Sequence, residues 1–151
     1  MPIDILIEEL TGEHVAEVSK LEALCFASPI SENILRTLYV GGIAKGFVCF
    51  DTKNGRLAAY GGVVVAAGEA QILNIATHPD FRRLGIGREV VRKIVEYSVQ
   101  NCAEEISLEV REGNAGARRL YEAEGFLEAG RIRNYYNSPK EDALIMKKDL
   151  C

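Results

Sequence analysis

The sequence predicts an α/β fold of the α+β kind, with a mixed, mostly antiparallel seven-stranded sheet and helices on both faces. Three observations support this prediction. The chain is 48% hydrophobic and 26% charged, which is the composition of a globular protein. Segments with strand or helix periodicity follow one another in the order β-α-α-β-β-β-α-β-α-β-β. One helical crossover between two strands, a βαβ unit, predicts a single parallel strand pair.

Length and composition exclude several classes of protein. The 151 residues are expected to form one domain, residues 1–151. The net charge of −4 argues against broad nucleic-acid binding, although a local basic patch is compatible with it. No two of the four cysteines have the CxxC spacing of a zinc site and the two histidines lie far apart, so we expect free thiols and no metal. The chain shows neither a basic, apolar leader nor a run of roughly 20 apolar residues, which predicts a cytoplasmic protein without membrane contact.

The first elements are a strand and two helices. Ile3–Leu10 is rich in β-branched and apolar residues, which predicts a strand. Thr11 then offers an N-cap for an amphipathic helix. Ser31 offers the cap of a second, short helix over Glu32–Val40, which the glycine pair at Gly41 ends.

A three-stranded meander follows. The segments Gly46–Asp51 and Arg56–Val65 are apolar and joined through an Asn54-Gly55 pair, which tolerates positive φ and predicts a hairpin. The pair Gly61-Gly62 inside the second strand predicts a bulge or a close backbone approach. Ala70–Thr77 predicts the third strand.

The second half predicts the crossover helix, a strand, a short helix and two closing strands. The crossover helix begins at a glycine turn and has one apolar face, formed by Val90, Val91, Ile94, Val95 and Val99. The remaining elements are predicted at Glu105–Arg111, Asn114–Ala123, Glu128–Tyr135 and Ala143–Lys148.

The glycine turn, Arg82–Gly87, stands where a strand ends and the crossover helix begins. Without Cβ atoms, Gly85 and Gly87 let the backbone approach a ligand, and the N–H groups at the helix N-terminus favour an anion such as a phosphate. A dinucleotide-binding turn needs a third glycine where Val90 stands, and a Walker turn needs Lys-Ser/Thr where Arg88-Glu89 stands. By itself, the turn is at least as well explained as a tight strand-to-helix connection.

A third phosphate-binding pattern does match this turn. Arg82-x-x-Gly85-x-Gly87 resembles the R/Q-x-x-G-x-G/A signature of the GNAT acyltransferases, in which the turn holds the pyrophosphate of acetyl-coenzyme A. The predicted order of elements matches the GNAT fold over almost the whole chain. Asn114-x-x-Ala117-x-x-x-Tyr121-x-x-x-Gly125-Phe126 resembles the second motif of the family.

Three further segments resemble the bacterial ribosomal-protein-alanine N-acetyltransferase group within that family. They are Asn74–Pro79, Leu108–Arg111, and Arg133–Tyr136 followed by Glu141-Asp142-Ala143. Members of this group often carry Pro-Trp after the Cys-Phe that ends the first helix. Here Cys25-Phe26 continues differently and the chain contains no Trp. Because this region is expected to border the peptide site, the substrate is less securely implied than the chemistry.

The resemblance implies acetyl-CoA as co-substrate and a set of residues that bind it. Backbone groups of Ile75, Ala76 and Thr77 would bind the pantetheine arm and orient the thioester carbonyl. The pyrophosphate would be held by the turn and the start of the helix, at Arg83, Leu84, Gly85, Ile86, Gly87 and Arg88. Asn114 matches a coenzyme-binding asparagine of the family.

Glu109 and Tyr121 are the candidate catalytic residues. From the pattern alone, Glu109 is a solvated strand residue on the face opposite Leu108, and Tyr121 is a core tyrosine about two turns beyond Asn114. The resemblance instead matches Glu109 to the general base of the group and Tyr121 to the proton donor of the family. An α-amine, with a pKa of about 7.8 against about 10.4 for lysine, needs only a modest base.

The resemblance also implies a substrate. Tyr135 and Tyr136 match tyrosines that grasp the peptide, and strand alternation predicts that only one of them faces it. The implied function is transfer of an acetyl group to the α-amine of a protein, expected to be a small-subunit ribosomal protein that begins with alanine, by a monomer or weak dimer. Two alternatives stay open: an acetyltransferase of small-molecule amines on the same fold, and a CoA-binding module without turnover.

Overall fold

The computed structural model describes residues 3–151, and within them seven strands form one sheet in the order β1-β2-β3-β4-β5-β7-β6. The strands are β1 (Ile5–Glu9), β2 (Lys45–Asp51), β3 (Leu57–Ala66), β4 (Glu69–Thr77), β5 (Glu105–Arg111), β6 (Leu127–Tyr136) and β7 (Glu141–Asp149). Strands β4 and β5 are parallel, whereas the pairs β1–β2, β2–β3, β5–β7 and β6–β7 are antiparallel. The predicted mixed sheet with one parallel crossover is confirmed.

The same residues contain four α-helices, none of which is long and apolar enough to span a membrane. They are α1 (Val15–Cys25), α2 (Glu32–Leu35), α3 (Ile86–Gln100) and α4 (Ala115–Ala123). Helix α2 begins as predicted, because the Ser31 hydroxyl accepts a hydrogen bond of 3.2 Å from the N–H of Ile34. It continues as a π-helical turn over Arg36–Val40, which ends where Gly42 adopts a φ of 83°.

The chain forms two compact units. The first comprises the residues up to Val64 together with Leu73–Ile94, and the second comprises Val65–Ile72 and Val95–Cys151. The core of the first unit combines apolar residues of α1, α2, the π-helical turn, β2 and β3, among them Val15, Val18, Leu21, Leu35, Tyr39, Val48 and Tyr60. In the second unit the buried faces of β5, β7 and α4 supply Ile106, Leu108, Val110, Leu144, Met146 and Tyr121.

Of the two alternatives predicted at Gly61-Gly62, a bulge or a close approach, the structure shows the close approach. Both glycines pair with β2 in regular register, and the register shift lies between the pairs Cys49–Ala59 and Phe50–Leu57, where Ala58 is an extra residue on β3. The glycines are required by side chains that pack onto the strand instead. A Cβ atom at Gly61 would lie 2.6 Å from Cδ1 of Ile75.

The predicted apolar face of α3 is correct except at its end. Val90, Val91 and Ile94 are fully buried, whereas Val99 is 50% exposed and Ser98 is buried in its place. The reason is helical geometry, because position 98 follows Ile94 by four residues and so lies on the same stripe.

Candidate functional site

Strand β5 presents Glu109 from the face opposite the core. Its residues alternate between buried and half-buried, as predicted: Leu108 and Val110 point into the core and Glu109 lies between them, half-buried. Glu109 is opposite Ile145 in the antiparallel register with β7, so its strand position is fixed by pairing with that strand. The carboxylate is therefore held on a rigid element.

Tyr135, on β6, lies against this carboxylate. Its hydroxyl donates a hydrogen bond to Glu109, and that bond, with partial burial, raises the pKa of Tyr135 to about 12. The side chain remains 47% exposed. A half-buried carboxylate and an exposed phenol thus meet on one face of the second unit.

Tyr136 is held in a different way. Its ring lies under the Arg111 guanidinium, whose carbon is 4.3 Å from the ring centroid, and its edge meets the Tyr135 ring at a centroid distance of 5.0 Å. Burial and the negative charge of Glu109 raise the pKa of Tyr136. Both tyrosines interact with Glu109 because the β6 register is irregular between Ile132 and Tyr136, which breaks the alternation expected of a strand.

Arg111 holds the closing hairpin together, a role that sequence reasoning missed. Its guanidinium donates to the carbonyls of Asn137 and Pro139 at 3.2 and 2.9 Å and to the Glu141 carboxylate at 3.2 Å. The second oxygen of Glu141 accepts from the N–H of Gly113 at 2.6 Å. The segment that carries Tyr136 is therefore tied to β5, two residues beyond Glu109.

Tyr121 lies in α4, with its ring 5.8 Å from that of Phe126 in an edge-on contact. It is 7% exposed, and burial, with a smaller effect from Tyr136, raises the pKa of the phenol well above its usual value. None of the residues that the structure describes forms a hydrogen bond with this hydroxyl. The phenol therefore stays protonated at neutral pH with its proton available for donation.

Asn114 precedes α4 as its N-cap. Its side-chain oxygen accepts a hydrogen bond of 3.1 Å from the N–H of Ala117. The prediction that helix α4 includes Asn114 is therefore wrong by one residue, because the amide competes for the backbone donors of the first turn. The side chain is exposed, and its amide nitrogen takes no part in the cap.

In the first unit, the glycine turn contains two residues with positive φ. Arg83 and Gly85 have φ values of 64° and 80°, and α3 begins at Ile86. The first N–H groups of a helix lack intrahelical partners, and the positive end of the helix dipole adds to their attraction for a phosphate. Ile86 is 1% exposed, so its side chain belongs to the core and only its backbone could contact a ligand.

Arg82, the first residue of the signature, closes this turn onto the end of β4. Its Nε donates to the carbonyl of Thr77 at 3.2 Å, and the thiol of Cys25 donates to the same carbonyl at 3.4 Å. The Thr77 carbonyl is thus occupied within the protein. Next to it, Ala76 is 2% exposed.

Sequence reasoning also missed a buried polar cluster in the first unit. Glu22 on α1 is fully buried and hydrogen-bonded to Tyr60 and Asn74. The signal was present, because Glu22 follows Val18 by four residues and so lies on the apolar face of the helix. Among residues 3–151, no group of three or more His, Cys, Asp or Glu side chains is arranged to hold a metal ion.

Comparison with known proteins settles the family. The sequence model of the Acetyltransferase (GNAT) family matches residues 15–126, which is more than half of the chain. The chain belongs to the GNAT acetyltransferase family. GNAT acetyltransferases use acetyl-CoA, and the chain is an acetyl-CoA-dependent N-acetyltransferase. This family match agrees with the glycine-turn signature seen in the sequence.

Individual GNAT proteins are similar over most of the chain. The ribosomal protein bS18-alanine N-acetyltransferase of Escherichia coli is 41% identical over 97 residues, which cover 63% of this chain and 66% of that protein. A Bacillus subtilis protein with the same activity in its name is 36% identical over 93% of this chain and 92% of its own. The crystal structure of the E. coli ribosomal-protein-S18-alanine N-acetyltransferase superposes with a TM-score of 0.89, at 32% identity, over 97% of this chain and 94% of that chain.

Proposed function

We propose that this protein acetylates the α-amine of a ribosomal protein that begins with alanine, with acetyl-CoA as donor. The observation that carries the proposal is the pairing of a half-buried carboxylate, Glu109, with the exposed hydroxyl of Tyr135. The similarity to proteins named ribosomal protein bS18-alanine N-acetyltransferase supports the choice of substrate. Polyamine or drug acetylation has no comparable support from the described residues.

Glu109 serves as the general base in this proposal. The attacking α-amine must lose a proton before or during attack, and Glu109 accepts it directly or through one water. Tyr135 orients the carboxylate by its hydrogen bond and, as the more exposed of the two tyrosines, faces the peptide. Tyr136 contributes by packing on Arg111, which holds the hairpin in place.

Tyr121 serves as the general acid. The thiol of coenzyme A leaves as a thiolate, and the proton of the Tyr121 phenol neutralises it. Because burial raises the pKa of this phenol, the proton is in place over the whole physiological range. The proton taken by Glu109 and the proton given by Tyr121 balance, and exchange with solvent restores both residues.

The glycine turn, the end of β4 and Asn114 carry the groups assigned to acetyl-CoA. The N–H groups from Leu84 to Arg88 hold the pyrophosphate, and Arg83 adds a positive charge beside them. Backbone groups of Ile75, Ala76 and Thr77 bind the pantetheine arm, with the Thr77 carbonyl already engaged by Arg82. The free amide nitrogen of Asn114 is the group that this residue offers to the coenzyme.

The remaining expectations follow from the substrate. The segment after Cys25-Phe26 borders the acceptor peptide in this proposal. A ribosomal substrate places the enzyme in the cytoplasm, acting as a monomer or weak dimer on a protein rather than on nucleic acid or a membrane. The family match, which runs through segments of both compact units, supports one functional domain over residues 1–151.

The decisive experiment is an acetylation assay with a panel of peptides that differ in their first residues. Peptides with a free N-terminal alanine should be acetylated on the α-amine, which mass spectrometry of the products locates. N-terminally blocked peptides that contain lysine, free lysine and spermidine are the controls. Preference for lysine side chains or polyamines over free N-termini would contradict the proposal.

A further inference from the structure

Glu22 is a carboxylate with no exposed surface, held by donors from three separate segments. Its Oε1 accepts from the N–H of Ile30 at 3.0 Å. Its Oε2 accepts from the Asn74 side-chain amide at 2.9 Å and from the Tyr60 hydroxyl. All three donors are neutral, and none of the described Lys, Arg or His residues pairs with this carboxylate.

A buried carboxylate at this position lowers the stability of the fold relative to an apolar side chain. Removing a charge from water costs free energy that neutral hydrogen bonds recover only in part. An aliphatic residue would continue the apolar face of α1, which Val18 and Leu21 begin, at lower cost. The carboxylate differs from an aliphatic residue in having two acceptor oxygens. Here Oε1 binds the loop backbone, and Oε2 binds side chains of β3 and β4.

The segments that Glu22 joins are the ones that the proposed function uses. Ile30 lies in the loop between α1 and α2, residues 26–31, which we assign to the acceptor peptide. Asn74 lies in β4 directly before Ile75–Thr77, which we assign to the pantetheine arm. Through Oε1 and Oε2, a single side chain therefore fixes the separation between the acceptor loop and the donor strand.

A second contact connects the same end of α1 to the same strand. The Cys25 thiol donates to the carbonyl of Thr77 at 3.4 Å. This weaker bond attaches the helix to the strand but not the loop to the strand, because Cys25 belongs to α1 itself. Of these two side chains, Glu22 is the one that also binds the loop backbone, at Ile30.

We propose that Glu22 is a positioning residue for acetyl transfer, which sets the acceptor loop 26–31 at its working distance from Ile75–Thr77. This inference rests on the proposed function of those two segments. Glutamine at position 22 has one acceptor oxygen, and its amide nitrogen would face the donor of Asn74. Either the loop or the strand then loses its partner.

The test compares three variants in the peptide acetylation assay. Glu22→Gln should lower kcat/KM for the alanine peptide by about 10- to 100-fold, mainly through KM for the peptide, because a hydrogen bond to a charged group is lost. Tyr60→Phe is the matched control, since it removes one hydrogen bond of the cluster but keeps both Ile30 and Asn74 attached to Glu22; its kcat/KM should stay within about threefold of wild type. The double variant Glu22→Gln with Asn74→Asp restores an acceptor opposite the glutamine amide. Its kcat/KM should be about tenfold or more above that of Glu22→Gln alone.

The outcomes separate positioning from a structural role. An equal loss of kcat/KM in Tyr60→Phe, a swap that recovers nothing, or a folded Glu22→Gln with wild-type kinetics would each overturn the inference. If Glu22→Gln does not fold, Asn74→Ala is used instead, because it removes the hydrogen bond between Glu22 and β4. It should show the same rise in peptide KM, and a wild-type KM overturns the inference.

Hydrogen exchange distinguishes this inference from the proposed function. Amides of residues 26–31 should exchange faster in Glu22→Gln than in wild type or Tyr60→Phe, whatever the substrate is. If the wild-type protein acetylates no N-terminal peptide but the exchange pattern is as expected, the proposed function is refuted, while the role of Glu22 in holding the loop is retained. Unchanged exchange in Glu22→Gln would refute that role of Glu22.

Discussion

The backbone of Gly62 and the hydroxyl of Tyr39 are packed so closely that a Cβ atom at Gly62 would lie 1.8 Å from the hydroxyl oxygen. Tyr39 is 7% exposed, and its hydroxyl has no hydrogen-bond partner among the described residues. Burial raises the pKa of this phenol, and the nearby Glu22 carboxylate raises it further. The pair therefore combines a steric requirement at Gly62 with an unsatisfied buried polar group at Tyr39.

Gly62→Ala should destabilise the protein because the new methyl group overlaps the Tyr39 side chain. Overpacking of this kind costs about 1–3 kcal/mol of unfolding free energy. Tyr39→Phe added to Gly62→Ala should recover part of the loss, since it removes the overlapping oxygen and a buried group without a partner. Urea unfolding followed by circular dichroism measures both effects.

Gly116→Ala is the control for a glycine that is not packed. Gly116 lies in α4 with nothing within 4 Å of a Cβ position. Alanine there should leave stability unchanged or raise it by about 0.5–1 kcal/mol, because it reduces the freedom of the unfolded chain. Wild-type stability in Gly62→Ala would contradict the packing described here.

Glu109→Gln should lower kcat by about 10²–10⁴-fold while leaving the affinity for acetyl-CoA nearly unchanged. Glutamine keeps the size of the side chain but cannot accept the proton of the amine. The defect should shrink as the pH rises toward the pKa of the α-amine, about 7.8, where the substrate supplies its own neutral form. Initial rates across a pH series, with coenzyme affinity from calorimetry, test the assignment, and a variant with wild-type kcat would disprove it.

Tyr121→Phe should lower kcat with little loss of stability, since the ring keeps its contact with Phe126. The defect should be milder with an acetyl donor whose leaving thiol is more acidic, because that thiolate needs less protonation. In the wild-type enzyme, the raised pKa of Tyr121 means that its ionisation should cause no fall in rate below about pH 10. An equal defect with every donor would rule out the role of general acid.

Tyr135→Phe should lower kcat/KM for the peptide by about 3- to 10-fold, because the Glu109 carboxylate loses the hydrogen bond that orients it. Tyr136→Phe should lower kcat/KM by a smaller factor, since the ring that packs under Arg111 is retained. Comparison of the two variants in the same peptide assay provides the measurement. A larger loss in Tyr136→Phe would reverse the roles assigned to the two tyrosines.

Gly87→Leu should weaken coenzyme binding by about tenfold or more, because its side chain would occupy the space next to the first N–H groups of α3. Gly87 suits this test better than Gly85, whose φ of 80° makes any substitution strained. Arg83→Ala should lower the affinity for coenzyme A by a smaller factor, since one exposed charge is lost while the N–H groups remain. Calorimetric titration with coenzyme A measures both, and unchanged affinity in a folded Gly87→Leu protein would contradict the placement.

Much of the fold could be predicted because its signals are local. The cap at Ser31 and the alternation of Leu108, Glu109 and Val110 depend on residues a few positions apart. The hairpin at Gly55 depends on one residue that adopts a φ of 68°. Such patterns are complete within a short window of sequence, so the elements could be placed to within a few residues.

The candidate site was predicted less completely. The resemblance drew attention to Glu109 and Tyr135 as separate residues, but their hydrogen bond depends on the irregular register of β6, where Asn134 has a φ of 53°. The role of Arg111 in holding the hairpin depends on partners 26 to 30 residues away. Neither feature has a signature within its own segment.

The sequence by itself therefore determined the order of the elements, the glycine turn and the family resemblance, because periodicity, capping and motif spacing are properties of neighbouring residues. The tertiary structure decided which polar groups share a partner. Glu22 lies 52 residues from Asn74, and Tyr39 lies 23 residues from Gly62, so their contacts exist only after the strands pair and α1 packs against them. Burial makes these contacts important for the free energy of folding, since a polar group removed from water depends on the hydrogen-bond partners that the fold provides.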